Sequence, residues 1–180
     1  FLLNNDTWTA PDALERLVES AEASPNVAAL APKMLLYDQP DLLNSAGLEC
    51  SIIGSCWDLG LGRLDGPKWN VPRPVIGVCG GAFFIRTAVL ERTGLLPDFD
   101  IYLDDLDLCL AMWNAGYEIR SCPQAVVRHK FSATMGSGAR LRRKYYLNTR
   151  NRMRVLLRRF PASDAPSTAA SVLHGECRAV

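Results

Sequence analysis

The chain has 180 residues, of which 48% are hydrophobic and 22% are charged, and its formal net charge is +1. This is enough apolar material for one ordinary domain with a real core. The net charge indicates no particular partner, and no run of apolar residues is long enough to span a membrane.

Polar residues directly follow the first apolar segment. Residues 1–3 predict a short buried strand, and Asn4, Asn5 and Asp6 stand at its C-terminal end. Such a run is common in turns. Ligand sites of α/β sheets also collect where strands end, so both a turn and a site are open here.

A helix and a second apolar strand come next. Thr9 and Asp12 have the spacing of a capping box, and apolar residues then follow helical spacing as far as Ala21. We expect the helix to end near residues 24–26. A strand then starts at Val27 and continues through the following apolar residues.

The middle of the chain is less regular. Residues 40–74 are rich in Gly, Pro and Trp, and we expect long loops or a short hairpin, exposed and mobile. Residues 74–79 are typical of a strand, Gly80 and Gly81 interrupt it, and residues 82–86 resume it. The two glycines fit either a bulge or a functional turn.

The second half alternates helices with strands, which favours an α/β fold. The predicted helices are 87–93, closed by Gly94, 105–114, closed by Gly116, and a basic amphipathic helix over 141–160; the predicted strands are 118–122 and 125–128, with His129 directly after the last.

Three carboxylates crowd the start of the second of these helices, at Asp104, Asp105 and Asp107. A helix start needs one cap and gains from acidic residues in its first turn, but it does not need this many. The cluster is either a solvated helix start or a site that handles a metal ion, a proton or a hydroxyl group.

Asp6 and His129 each follow a predicted strand, and the acidic cluster could meet them at one edge of the sheet. A carboxylate and an imidazole would make half of a divalent-metal site, with a diphosphate and water supplying the rest. A second carboxylate could act as a base. The alternative for a lone His after a strand is an ordinary surface or core residue.

The remaining charge and thiol patterns are less specific. No Asp or Glu occurs between Lys130 and Arg159, so this segment presents a basic face that fits solvent, anionic lipid or nucleic acid, without a recognised nucleic-acid motif. The six cysteines include no C-x-x-C pair and read as buried free thiols of a reducing compartment, although a Cys50–Cys56 bridge stays open. Two histidines argue against a Cys/His zinc site.

The order of these segments resembles the family 2 glycosyltransferases, a large group of inverting enzymes with the GT-A fold. The resemblance runs from Phe1 to about Pro161, and it is carried by the segments that contain FLLNND, VCGGAFFIR, YLDDLDLCL, CPQAVVRH and YYLNTRNRM. It implies a Rossmann-like sheet flanked by helices, with the family's first strands missing. Residues 1–161 would be a fragment of the catalytic domain and residues 162–180 a disordered tail.

The resemblance also implies roles for single residues. Asp105 matches the catalytic base, Asp6 and His129 match ligands of a Mg²⁺ or Mn²⁺ ion, and Asn5, Gly80, Gly81, Asp104 and Asp107 match positions that contact substrate. One departure is that the family often has Arg soon after the D-L-C-L run, where this chain has residues 111–113 (AMW).

The reaction implied is the transfer of a hexosyl or rhamnosyl group, with inversion, from a nucleotide-diphosphate donor to a hydroxyl of a glycan or lipid-linked acceptor. This is typical of bacterial cell-wall or polysaccharide synthesis in the cytoplasm, with residues 140–159 binding the anionic inner face of the membrane. The alternatives are a catalytically inactive GT-A-like binding module and a basic domain that binds nucleic acid or membrane.

Overall fold

The computed structural model describes residues 1–94, 97–131, 139–163 and 170, with the backbone alone of residues 139 and 140. Most of the predicted tail, 162–180, lies outside this part of the chain. The described residues form β1 (Leu2–Leu3), β2 (Thr7–Thr9), α1 (Ala13–Glu22), β3 (Val27–Leu36), β4 (Leu43–Ser45), β5 (Leu48–Cys50), β6 (Cys56–Asp58), β7 (Ala82–Ile85), α2 (Thr87–Thr93), α3 (Asp104–Asn114), β8 (Glu118–His129) and α4 (Ala139–Arg159).

The main sheet is mixed, which confirms the predicted α/β class. Its strands lie in the order β1-β7-β3-β8-β2, and β4 pairs with β3 outside this path. The pairing of β3 with β8 is parallel, and the other pairings are antiparallel. β5 and β6 form a separate hairpin.

Strand β3 is buried along almost its whole length because the sheet is covered on both faces. Leu17 of α1 packs against Leu30 on one face. Leu108 and Met112 of α3 pack against Ala29 on the other face. A strand covered on both sides needs no alternation of polar and apolar residues, and this explains the unbroken run in the sequence.

Two predictions for the first segments are wrong. Leu2 and Leu3 are each 44% exposed, because β1 lies at the edge of the sheet and pairs only with β7. Helix α1 begins after Asp12, without a side-chain cap, and not with a capping box from Thr9. Thr9 is instead part of β2, where it pairs with Val127.

The segment 40–74 is neither wholly exposed nor a plain loop, although it does contain the predicted hairpin. Leu43 and Trp69 are buried together in a small core beneath it. The strand predicted at 74–79 is absent, since its hydrogen bonds are divided between Ile119 of β8 and Leu48 of β5. Because its hydrogen bonds go first to β8 and then to β5, residues 74–79 do not form a continuous ladder with either strand.

Most elements of the second half are confirmed. Gly94 closes α2 with a φ of 90° that favours glycine, and α3 and α4 begin and end within two residues of the predicted positions. β8 is one strand where two were predicted. The pairing of β8 with β3 skips residues 123–125, which include Pro123, where the register shifts between Pro32 and Lys33. The strand continues beyond this bulge.

The described cysteines are free thiols, as predicted, but only Cys109 and Cys122 are buried, and the other three are half-buried. Cys177 lies outside the described residues. Cys50 and Cys56 face each other across the β5–β6 hairpin without a bond. In the part of the chain that the structure describes, no helix is long and apolar enough to cross a membrane.

Candidate active site

A cavity of about 500 Å³ lies where the turns before β2 and β7, the end of β8 and the start of α3 meet. This volume is within the range of small-molecule sites. Six of the residues proposed from the sequence line it: Asp6, Gly80, Gly81, Asp104, Asp105 and His129.

Asp6 and His129 form a pair in this cavity, with 3.2 Å between Oδ1 of Asp6 and Nε2 of His129. The sheet brings them together. Thr7, which follows Asp6, pairs with His129 in the antiparallel β2–β8 ladder, and the backbone N–H of Lys130 donates to the carbonyl oxygen of Asp6 at 3.1 Å. Side chains far apart in sequence are thereby held side by side.

Asn44 fixes the other ring nitrogen of His129. Its side chain is fully buried, and its Oδ1 lies 2.7 Å from Nδ1 of His129, where it accepts the Nδ1–H. When the imidazole is neutral, this tautomer leaves a lone pair on Nε2, on the side of Asp6. Asn44 was not predicted from the sequence, because a single Asn in the middle of a three-residue strand carries no pattern that marks it.

The Asp6–His129 pair fits two neighbouring ligands of an octahedral Mg²⁺ or Mn²⁺ ion. Neighbouring ligands at about 2.1 Å from such an ion are about 3.0 Å apart, close to the spacing of these two atoms. Among the described residues no group of three or more His, Cys, Asp or Glu side chains is placed to hold a metal ion. The chain would therefore supply two ligands and leave the other positions to phosphate and water.

Asp105 is placed at the cavity by the first turn of α3. Its Oδ2 accepts a hydrogen bond from the backbone N–H of Gly80 at 2.9 Å, and its Oδ1 accepts one from the N–H of Leu106 at 2.8 Å. Burial, and next the charge of Asp104, raise the pKa of Asp105 to about 6, against these two N–H groups, which lower it. At neutral pH the group is a carboxylate that readily takes up a proton.

The two glycines let the chain pass close to these side chains. A Cβ on Gly80 would lie 3.3 Å from Oδ2 of Asp105, and a Cβ on Gly81 would lie 2.9 Å from Cε of Met34 and 3.2 Å from Cε1 of His129. The space that a side chain at either glycine would need is thus already occupied by these neighbouring side chains. The Gly-Gly turn therefore lies against both Asp105 and the ring of His129, and one backbone segment contacts both groups.

Asp58, at the end of β6, also lines the cavity and was not foreseen. Burial raises the pKa of its carboxyl group, while hydrogen bonds with Ser45 and Cys79 act in the opposite direction. Its charge adds to the rise in the pKa of Asp105. The signal in the sequence was weak, because Asp58 sits in a segment without period.

The three acids at the start of α3 have different surroundings. Asp104 and Asp105 line the cavity, whereas Asp107 is fully buried on another side of the helix. Oδ1 of Asp107 lies 3.2 Å from Nε of Arg158, and its Oδ2 lies 2.6 Å from Nη2 of Arg159. The third carboxylate thus joins α3 to α4.

Two of the residues proposed to contact substrate are therefore not brought to the cavity. Asp107 lies two residues after Asp105, about 200° further around the helix, and is paired with arginines. Asn5 is exposed in the turn before β2, and its neighbour Asn4 lines the cavity in its place.

The far wall comes from α4 and the segment before α3. Lys144 and Asn148 of α4 line the cavity together with Tyr102, and Nζ of Lys144 lies 5.9 Å from the centre of the Tyr102 ring. Trp57 lines the cavity and is 48% exposed, while Trp69 is buried in the core. The cavity thus combines acids, one lysine and aromatic surface.

Comparison with known proteins gives a match along nearly the whole chain. The sequence model described as Glycosyl transferase family group 2 matches residues 1–174. No curated protein sequence matches.

Among solved structures, the chain is similar in fold to one described as the crystal structure of GalNAc-T7 with UDP, GalNAc and Mn²⁺. The TM-score is 0.62 and the sequence identity is 14%. The match covers 86% of this chain and 30% of that chain, so this chain spans less than a third of the length of its structural neighbour. At this identity the likeness shows the GT-A fold alone.

Proposed function

The chain belongs to glycosyl transferase family group 2, and we propose that it carries the catalytic centre of an enzyme that moves a sugar from a nucleotide-diphosphate donor to a hydroxyl group. The observation that carries this proposal is the shared cavity. A half-buried carboxylate with a pKa of about 6, Asp105, faces the same space as the Asp6–His129 pair.

In the proposed reaction Asp105 takes the proton from the acceptor hydroxyl while the hydroxyl oxygen attacks the anomeric carbon. Attack from the face opposite the leaving diphosphate is a single displacement, and it inverts the anomeric centre. The Gly80 N–H holds Oδ2 of Asp105, which fixes the carboxylate for this attack.

Asp6 and His129 would hold a divalent ion against the donor diphosphate, with Asn44 keeping the imidazole in the required tautomer. Such an ion supplies positive charge that stabilises the leaving diphosphate. Lys144 adds a fixed cation on the opposite wall. The exposed face of Trp57 offers a surface on which a sugar ring can stack.

The test is a screen of nucleotide-sugars with the full-length protein, detecting released nucleoside diphosphate with Mn²⁺ or Mg²⁺ present. Asp6→Ala and His129→Ala should abolish activation by the ion and leave the fold nearly intact. Proton NMR of the first product formed reports whether the anomeric centre is inverted. Full activity in excess EDTA would refute the metal assignment.

An inactive GT-A-like binding module remains the main alternative. It would bind a nucleoside diphosphate and Mn²⁺ in calorimetry but release none from any nucleotide-sugar. The retention of Asp6, Asp105 and His129 in one cavity supports the active enzyme.

We also propose that α4 lies against an anionic membrane surface, which suits a lipid-linked acceptor. Several of the arginines in 140–159 are paired within the protein, among them Arg158 and Arg159, which pair with Asp107. The exposed cations of α4 include Arg142 and Arg143, beside the exposed rings of Tyr145 and Tyr146. Arginine next to tyrosine is typical of a helix that binds at the membrane interface.

A further inference from the structure

The segment that leads into α3 is strained. Asp100, Tyr102 and Leu103 have φ angles of 65°, 74° and 64°, in the left-handed region that residues with a side chain seldom adopt. None of the three is glycine. Leu103 is the residue that precedes α3, and its side chain makes no capping hydrogen bond. The entry into the helix must therefore be held by something other than its own local preference.

Asn151 of α4 holds this segment. Its side chain is fully buried, and its Nδ2 lies 3.0 Å from the carbonyl oxygen of Phe99, 3.0 Å from that of Ile101 and 2.9 Å from that of Tyr102. The two N–H groups of one carboxamide are thus shared among three backbone carbonyls. These carbonyls are interleaved with the left-handed residues or belong to one of them, so the bonds run along the strained segment.

The surroundings of Asn151 keep its side chain in place. Nε of Arg150 donates to Oδ1 of Asn151 at 3.0 Å, and Nη2 of Arg150 donates to the carbonyl oxygen of Phe99 at 2.8 Å. Leu147 and Val155, one turn before and after on the same face of α4, are buried. A polar group locked in this way can fix the backbone that it binds.

The geometry points to Asn151 as a positioning residue for Asp105. Asp105 follows Leu103 by two residues, and its carboxylate must stay 2.9 Å from the N–H of Gly80 while it faces the cavity. The turn held by Asn151 sets the direction in which α3 begins. Without the hydrogen bonds of Asn151 the start of α3 could move, and the carboxylate of Asp105 would occupy a wider range of positions.

The effect of Asn151 on the reaction rate rests on the proposed function. Its hold on the segment before α3 does not. The first experiment is therefore hydrogen exchange of the apo full-length protein. In Asn151→Ala, amides of residues 103–107 should exchange at least tenfold faster than in the wild type. Unchanged exchange there would overturn the inference, whether or not the protein transfers sugar.

The second experiment measures steady-state kinetics with the nucleotide-sugar that the wild type uses fastest. Asn151→Ala should lower kcat at least tenfold, with the calorimetric Kd of its nucleoside diphosphate and Mn²⁺ changed by less than threefold. Asn151→Ser keeps one donor, so its kcat should fall between the two, and it decides the matter if the alanine variant does not fold. A fall in binding with kcat unchanged would overturn the inference.

Val155→Ala is the matched control. Val155 lies one turn further along α4 and packs against Phe99 and Leu106, but it makes none of the bonds to the turn carbonyls. This variant should lose stability while kcat stays within twofold. An equal loss of kcat in Val155→Ala would mean that general packing of α4, and not the carboxamide of Asn151, positions the base.

Discussion

A hydrogen bond of 2.9 Å joins the backbone N–H of Gly80 to Oδ2 of Asp105. It connects the turn before β7 to the first turn of α3, which lie 25 positions apart in the chain. The proposed base is therefore attached to the same Gly-Gly turn whose second glycine packs against His129. Changes on either side of this turn should affect different steps of the reaction.

Asp105→Asn is expected to lower kcat by roughly 10²- to 10⁴-fold, the usual effect of losing a general base. The carboxamide has nearly the same shape and can still accept one of the two N–H bonds, but it cannot accept a proton at neutral pH. Calorimetry should show nucleoside diphosphate binding almost unchanged, because in the proposed site that binding depends on Asp6, His129 and the metal ion. Asp104→Asn is the control and should lose far less. Transfer at the wild-type rate by Asp105→Asn would remove Asp105 as the base.

The pH dependence of kcat should report the same group. We expect kcat to rise with pH to a plateau and to be half-maximal near pH 6, where Asp105 loses its proton. The charge of Asp104 raises the pKa of Asp105, so Asp104→Asn should move the midpoint to lower pH. Rate profiles of the two proteins check this, and a midpoint that does not move would contradict the assigned interaction.

Stability should change in the direction opposite to activity. The pKa of Asp105 is about 6 in the fold, above its ordinary value of 3.8, so the folded state binds the proton more tightly than the unfolded state. Below pH 3.8 Asp105 is protonated in both the folded and the unfolded state, and it does not lower the free energy of unfolding. The loss in the free energy of unfolding grows between pH 3.8 and about 6 and is complete above pH 6. Asp105→Asn should therefore raise the free energy of unfolding at pH 7 by about 1–3 kcal/mol. Urea titrations at pH 7 and pH 3 test this, because the gain should be absent at pH 3.

The two glycines should give different defects. Gly81→Ala places a methyl group 3.2 Å from the His129 ring, which Asn44 holds, so we expect Mn²⁺ affinity to fall by roughly tenfold. Gly80→Ala places its methyl group near Oδ2 of Asp105, so kcat should fall while Mn²⁺ affinity stays nearly constant. Mn²⁺ titration by electron paramagnetic resonance separates the two. Equal loss of Mn²⁺ affinity in both variants would show that the turn acts only as a structural unit.

The arginines of α4 should divide into two groups. Arg142→Gln with Arg143→Gln should weaken sedimentation with anionic vesicles by about 1 kcal/mol per charge, and leave the free energy of unfolding within about 0.5 kcal/mol. Arg159→Gln should instead destabilise the fold by about 1–3 kcal/mol, since it removes a partner of the buried Asp107. Vesicle binding that ignores Arg142 and Arg143, or that does not respond to salt, would count against the membrane proposal.

Periodic segments of the chain were predictable, and segments that depend on a distant partner were not. The pattern around Leu108 and Met112 is enough to predict α3, and the unbroken apolar run is enough to predict β3. The three residues of β2 carry no pattern, and they form a strand only because β8 supplies its edge. Residues 74–79 have a good strand composition, but their hydrogen bonds go to two different neighbours.

The same division holds at the site. Asp6, Asp105 and His129 could be proposed because strand ends and helix starts place side chains at the edge of a sheet. Asn44 and Asn151 could not, since each acts through one carboxamide whose partner lies far away in the sequence. Nor could the different roles of Asp105 and Asp107, which depend on where α4 packs against α3.

The parallel pairing of β3 with β8 constrains the order in which parts of the chain can fold. Val27 of β3 pairs with Glu118 of β8, about 90 residues further along the chain. Both ligands proposed for the metal ion lie at the C-terminal end of β8, where His129 pairs with Thr7, the neighbour of Asp6. A chain must close a very long loop before such a pairing gains any stability, and chains dominated by contacts of this kind fold in milliseconds to seconds. The geometry of the proposed site would then be among the last features to form during folding. During synthesis it cannot form until the ribosome has released the whole of β8.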